Sequence, residues 1–187
     1  MFDLPNYGRT VEDILASIDD GRRLMPLAPT GPANGAGLAR LREASHSDIL
    51  NGQETSSRAF ADCARSALYL YFSALDESHT ISQDISSATG SLLHGIMHRQ
   101  EPDYSNAKYW FRRTGEHELY PTLREEALRL RLRDEGLQQE MRERPRWDPL
   151  WFVDCCEAGR AESDLLEIQR LEWQLIFDYS YRKALVG

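Results

Sequence analysis

The sequence predicts an all-α, single-domain bundle of about five to seven helices. Three observations predict it. Apolar residues recur at three- and four-residue steps in one segment after another, no stretch of useful length alternates with a period of two, and cap-forming, Pro and Gly residues separate the periodic segments. With 187 residues, 41% of them apolar and 28% charged, the chain can bury one substantial core and is short for two.

The first element, "TVEDILASID", places Thr10 three residues before Asp13 as a cap signal and puts Val11, Ile14, Leu15 and Ile18 on one face. Residues 25–37, within "MPLAPTGPANGAG", carry no period and form a Pro/Gly-rich loop or lid. A short helix follows around "GLARLREA". "TSSRAFADCARSALYLYFSALDES" then brings Phe60, Ala64, Ala67, Tyr71 and Ala74 into register as one long central helix covered on two sides.

In "TISQDISSATGSLLHGIMHRQEP" the stripe is Ile85, Ala88, Leu92 and Ile96, and Pro102 disfavours helix at Glu101. Gly90 and Gly95 weaken the propensity of this helix. "PTLREEALRLRLRDEGLQQEMRE" reads as one further helix with Leu123, Ala127, Leu130, Leu137 and Met141 inward. "WDPLWFVDCCEAG" has Asp148 as N-cap, Pro149 at the first helical position and Gly159 just past the end. "SDLLEIQRLEWQLIFDYSYRKAL" closes the bundle through Leu165, Ile168, Glu172 or Trp173, Leu175, Ile176 and Tyr179.

A net charge of −8 gives no electrostatic ground for expecting nucleic acid as the main partner. No apolar run reaches the length of a membrane span, and the first residues lack a basic start and an apolar signal core, so a cytoplasmic protein with no membrane association is expected. Cys63, Cys155 and Cys156 make an odd count with no C-x-x-C spacing, which favours reduced thiols and a core role for Cys63.

Chemistry concentrates in "HGIMHRQEPDYSNAKYWFRR", His94 to Arg113. At about 100° per residue His94 falls opposite the apolar stripe, with His98 and Glu101 within about 40° of it. Imidazoles at i and i+4 converge on a divalent first-row cation such as zinc, and a carboxylate adds charge. His79, Glu101, His94 and His98 are therefore the candidate metal ligands, with His46 and His117 as weaker ones. The same His94, His98 and Glu101 also suit metal-free acid/base work, and a solvated helix face would look alike.

Beyond the Pro102–Asp103 turn, with Ser105 or Asn106 satisfying the next amides, Lys108, Tyr109, Trp110, Arg112 and Arg113 crowd one short span. A guanidinium fork beside a ring suits a carboxylate, phosphate or sugar. Asp103, Asn106, Lys108, Tyr109, Arg112 and Arg113 are the candidate ligand contacts. Equally, the rings can be core and the arginines can pair with Glu101 or Asp103. His79 shares a face with Asp76 and Gln83, where Ser78 or Thr80 could instead be capping a helix.

The combined pattern "DESH-x-ISQD", "TGSLLHGIMHR" and "EPDYSNAKYWFRR-x-G", over about Asp76 to Gly115, resembles an uncharacterised bacterial protein family with fungal relatives and no assigned activity. That resemblance implies that these residues act as a unit and implies no chemistry. "HGIMHRQ" also resembles the His-x-x-x-His of metal-dependent helical bundles of the DinB-like class. Pro102 and the short gap from His46 or His79 to His94 depart from that class, so its fold is not implied.

Two functions are expected from these residues. One is an enzyme or sensor for a small polar or anionic molecule, of sugar or carboxylic acid type, with or without a metal. The other is an interaction module, homo-oligomeric or with a partner protein, in which a buried His/Arg/acid network is structural.

Overall fold

The computed structural model describes residues 7–185. Among them there are eleven α-helices, one 3-10 turn at Asp19–Gly21 and no strand, so the bundle is all-helical but more finely divided than five to seven helices. The extra count has a definite origin. Three expected helices are each cut, the adjoining pieces of two of them forming one helix at Leu75–Ser82, and two helices, at His46–Ile49 and Tyr104–Thr114, are added.

The N-terminal part holds α1 (Arg9–Ala16), α2 (Ala36–Glu43) and α3 (His46–Ile49). Gly8 is the N-cap of α1, in place of Thr10. α3 was not expected, although Ser45 and Asp48 form a reciprocal capping box at its start. Arg22 to Gly35 carry no regular element, and α2 already begins at Ala36, inside the 25–37 stretch. This segment is tied to the core: Ala33 N donates to Phe72 O at 2.7 Å, and Gln169 Nε2 donates to Met25 O at 2.8 Å.

The expected central helix is α4 (Arg58–Tyr71) followed by a separate α5 (Leu75–Ser82). The cut falls at Ser73, whose φ is 55°. There the loop supplies partners that release the end of α4, with Ala33 on Phe72 O and the Arg23 guanidinium on Tyr71 O. The next cut is at Gln83–Ser87, because α6 (Ala88–Gln100) starts at its own cap, Ser87, whose Oγ accepts from Gly90 N at 3.1 Å. α7 (Tyr104–Thr114) returns beside α6, and the Asp103 side chain caps it by accepting from Asn106 N at 3.2 Å. Ser105 and Asn106 are thus donors to the cap and do not supply it.

The third cut separates α8 (Tyr120–Arg129) from α9 (Glu135–Glu143). Asp164 accepts Arg133 N at 2.9 Å and Asp134 N at 2.8 Å, replacing the carbonyls a continuous helix would provide. α10 (Pro149–Glu157) is capped by Asp148 on Leu150 N and Trp151 N, with Gly159 in the left-handed region just beyond it. α11 (Glu162–Leu185) lies along α4: Trp173 Nε1 donates to Ala67 O at 2.7 Å, and its ring stacks on Tyr71 at 4.4 Å between centroids. Cys63, Cys155 and Cys156 are buried and unbridged.

α6 is buried almost all round, so its histidines do not face solvent as a single apolar stripe suggests. Its glycines let neighbours approach. A Cβ on Gly95 would stand 3.1 Å from the Phe111 ring, and one on Gly90 would stand 2.3 Å from Ile85 O. Backbone cannot yield as a side-chain tip can, so Gly90→Ala is expected to cost about 1–3 kcal/mol, read as a lower urea midpoint at unchanged slope. An unchanged midpoint would mean that the Ile85 turn moves freely.

A further interior polar feature is Arg99, fully buried. Its guanidinium meets both carboxylate oxygens of Glu172, NH1 to Oε1 at 3.3 Å, and Gln169 Oε1 at 3.3 Å, and it lies 4.5 Å from the centre of the Phe152 ring.

Candidate metal centre

Three histidines from two helices meet between α5, α6 and α7. His79 comes from α5, and His94 and His98 sit one turn apart on α6. Ring centroids are 4.7 Å apart for His79 and His94, 4.8 Å for His94 and His98, and 5.5 Å for His79 and His98. One donor atom from each lies within 4.8 Å of the others. A tetrahedral zinc ion bound at about 2.0–2.1 Å needs nitrogens roughly 3.3 Å apart, closer than the 4.8 Å within which these donor atoms lie.

The outer hydrogen bonds orient two of the rings. Ser82 Oγ lies 3.0 Å from Nδ1 of His94, and Glu101 Oε2 lies 3.1 Å from Nδ1 of His98. Asn106 Nδ2 lies 3.0 Å from Nε2 of His98. An amide donating to Nε2 requires a lone pair there, which puts the ring proton on Nδ1, facing the carboxylate. A histidine whose second nitrogen is held by a carboxylate is the usual arrangement of a metal ligand.

Burial, then the neighbouring His98 and His79, push the His94 pKa down to about 4. Burial also lowers that of His98, against the raising influence of Glu101. Both rings are therefore neutral near pH 7, the form in which imidazole binds a metal. Trp110 covers His94 at 4.1 Å between ring centroids, and the Arg113 guanidinium lies over the Trp110 ring at 5.3 Å. His79 is half-buried and opens the cluster toward solvent.

The remaining candidates are distributed as follows. Glu101 is exposed, sits at the outer nitrogen of His98 and is not one of the three converging groups. Asn106 touches the cluster, while Asp103 caps α7. Lys108 points to α10, pairing with Asp154 at 2.6 Å and Glu157 at 3.0 Å. Tyr109 is exposed and edge-on to Trp110, and Arg112 lines a different cleft. His46 pairs with Asp62 at 2.8 Å and His117 bonds Thr89 at 3.0 Å, so both lie outside the trio.

Ser78 and Thr80 cap nothing, being inside α5. Ser82 and Trp110 were missed as site residues. Ser82 stands three residues after His79, and Trp110 four after Asn106, so helical spacing alone places each beside a group that was recognised. No family model, no curated protein and no solved structure matches this chain.

Proposed function

We propose that His79, His94 and His98 hold one zinc-class divalent cation and that the protein uses it to bind a small polar or anionic molecule. The convergence of three imidazole donors from α5 and α6 carries this reading. Among the described residues no fourth His, Cys, Asp or Glu joins them, so the fourth position is left for water or for an oxygen of the ligand. A cation there would lower the pKa of its bound water toward 7 and polarise a carbonyl or carboxylate. Glu101 would keep His98 oriented and raise its basicity, and Asn106 would give up Nε2 to the metal.

Tag-free protein dialysed against zinc is expected to retain about one equivalent, with His94→Ala and His98→Ala each weakening zinc by at least about 100-fold. His46→Ala is expected to bind like wild type. Less than about a tenth of an equivalent of any first-row metal, with no gain on adding zinc, would overturn the proposal.

The Asn106–His98 hydrogen bond favours a second reading, a metal-free structural network around neutral imidazoles. The two readings part at Asn106→Ala. Under the metal reading this variant binds zinc at least as tightly as wild type. Under the network reading it binds none and loses about 1 kcal/mol of stability.

A further inference from the structure

A second cleft of about 450 Å³ lies between the last turn of α7 and the segment joining α9 to α10. Phe111, Arg112, Tyr120, Arg144, Arg146 and Trp147 line it. A neighbouring hollow of about 470 Å³ shares Glu116, Tyr120, Pro145 and Arg146 with it, so the two form one continuous groove. The volume suits a small molecule. On α7, Arg112 lies about 200° around the axis from Trp110, so this groove is on the flank away from the histidines.

Three features set the groove apart from an ordinary charged surface. Arg112 is exposed and has no hydrogen-bond or ion-pair partner among the described residues. Trp147 is 3% exposed, and its indole N–H lacks a partner. The wall carrying Arg144 and Arg146 is fixed in place, because Arg124 donates through Nε to Arg144 O at 3.0 Å and through NH2 to Arg142 O at 3.2 Å. Arg144 is itself held, donating to Glu140 O at 2.9 Å and lying over the Trp151 ring at 4.4 Å. Arg146 pairs with Glu116 at 2.6 Å in an exposed contact, which an incoming anion can exchange at small cost.

From the free guanidinium of Arg112 and the rings behind it, we infer that this groove binds a carboxylate or phosphate group carried on a flat apolar body. The anion takes the fork of Arg112 with support from Arg146, while Pro145, Pro149 and Leu150, with the edges of the buried Phe111, Tyr120 and Trp147 rings behind them, meet the apolar part. The site is separate from the histidine cluster and needs no metal.

The test is a titration of the ¹⁵N-labelled full chain, followed at the Trp147 indole N–H resonance, which is assigned by its loss in Trp147→Phe. Probes are phenyl phosphate, benzoate, inorganic phosphate and benzyl alcohol. Phenyl phosphate or benzoate is expected to saturate with Kd below about 1 mM, and whichever is tighter identifies the anion. Arg112→Ala, which removes an exposed and unpartnered side chain, is expected to weaken binding by at least about tenfold. Arg131→Ala, exposed and outside the groove, is expected to change nothing. The inference is overturned by an absence of saturable shifts, by equal affinity in Arg112→Ala, by benzyl alcohol or inorganic phosphate binding as tightly as the aromatic anions, or by shifts centred on the Trp110 indole.

Discussion

Glu172→Ala is expected to destabilise the protein by about 3–5 kcal/mol, a large share of the stability of an ordinary domain. Arg99 and Glu172 are 0% and 2% exposed, so the guanidinium is out of reach of bulk solvent. Gln169 offers a single carbonyl oxygen at 3.3 Å, and its amide nitrogen is already committed to Met25 O. An uncompensated cation would remain between α6, α10 and α11. Replacing both partners by apolar residues, Arg99→Met with Glu172→Leu, removes the charge and its counter-charge together and is expected to recover most of the loss. Urea unfolding of the two variants checks this. A loss below about 1 kcal/mol in Glu172→Ala would show that the interior is wetter than its burial indicates.

Acid is expected to destabilise the metal-free protein between pH 6.5 and about 4. The folded state holds His94 down at about 4 and lowers His98, whereas the unfolded chain regains the ordinary histidine value near 6.5. Above pH 6.5 both states carry neutral rings, and the stability is independent of these groups. Below it the unfolded state binds protons that the folded state refuses, so stability falls as pH drops until the folded rings also protonate. His94 alone contributes a loss of about 3 kcal/mol over this window, large enough to show in chemical denaturation at pH 7 and pH 4.5. His94→Gln is expected to make the profile shallower, leaving the part due to His98. NMR titration of the wild type that placed both rings above pH 6 would contradict the burial argument.

Much of this architecture is legible in the residues. Asp148, Pro149 and Gly159 mark α10 at both ends, and the His94–His98 step with His79 ahead of it reads as a cluster before any fold is known. The rest depends on partners distant in the chain. Leu130 continues the period of α8, and the helix ends there on the Asp164 carboxylate, 31 residues from Arg133, and on the Gln138 amide, which donates to Leu128 O and Leu130 O at 3.2 Å. Ser73 carries no mark of the left-handed turn it makes, because the loop at Arg23 and Ala33 releases α4 from outside. The α6 stripe suggests one solvent face, yet its other faces also bury, Leu93 and Met97 among them, with the small and polar residues, by meeting α4, α5, α7 and α11. Arg99 could not be assigned a partner, since Glu172 lies 73 residues away. Arg112 and Arg113, adjacent in sequence, diverge because successive residues of a helix point about 100° apart.

The placement of the histidines bears on the order in which the chain folds. The cluster is drawn from one contiguous stretch, α5 to α7. The clamp of α11 on α4 instead joins Trp173 to Ala67, 106 residues apart. Contacts within a short stretch close their loops at little entropic cost, whereas the clamp must wait for a long search. A cation bound by His79, His94 and His98 would then stabilise structure already present at the rate-limiting barrier. Zinc is expected to steepen the approach to the native state, raising the refolding rate in a stopped-flow chevron more than it slows unfolding.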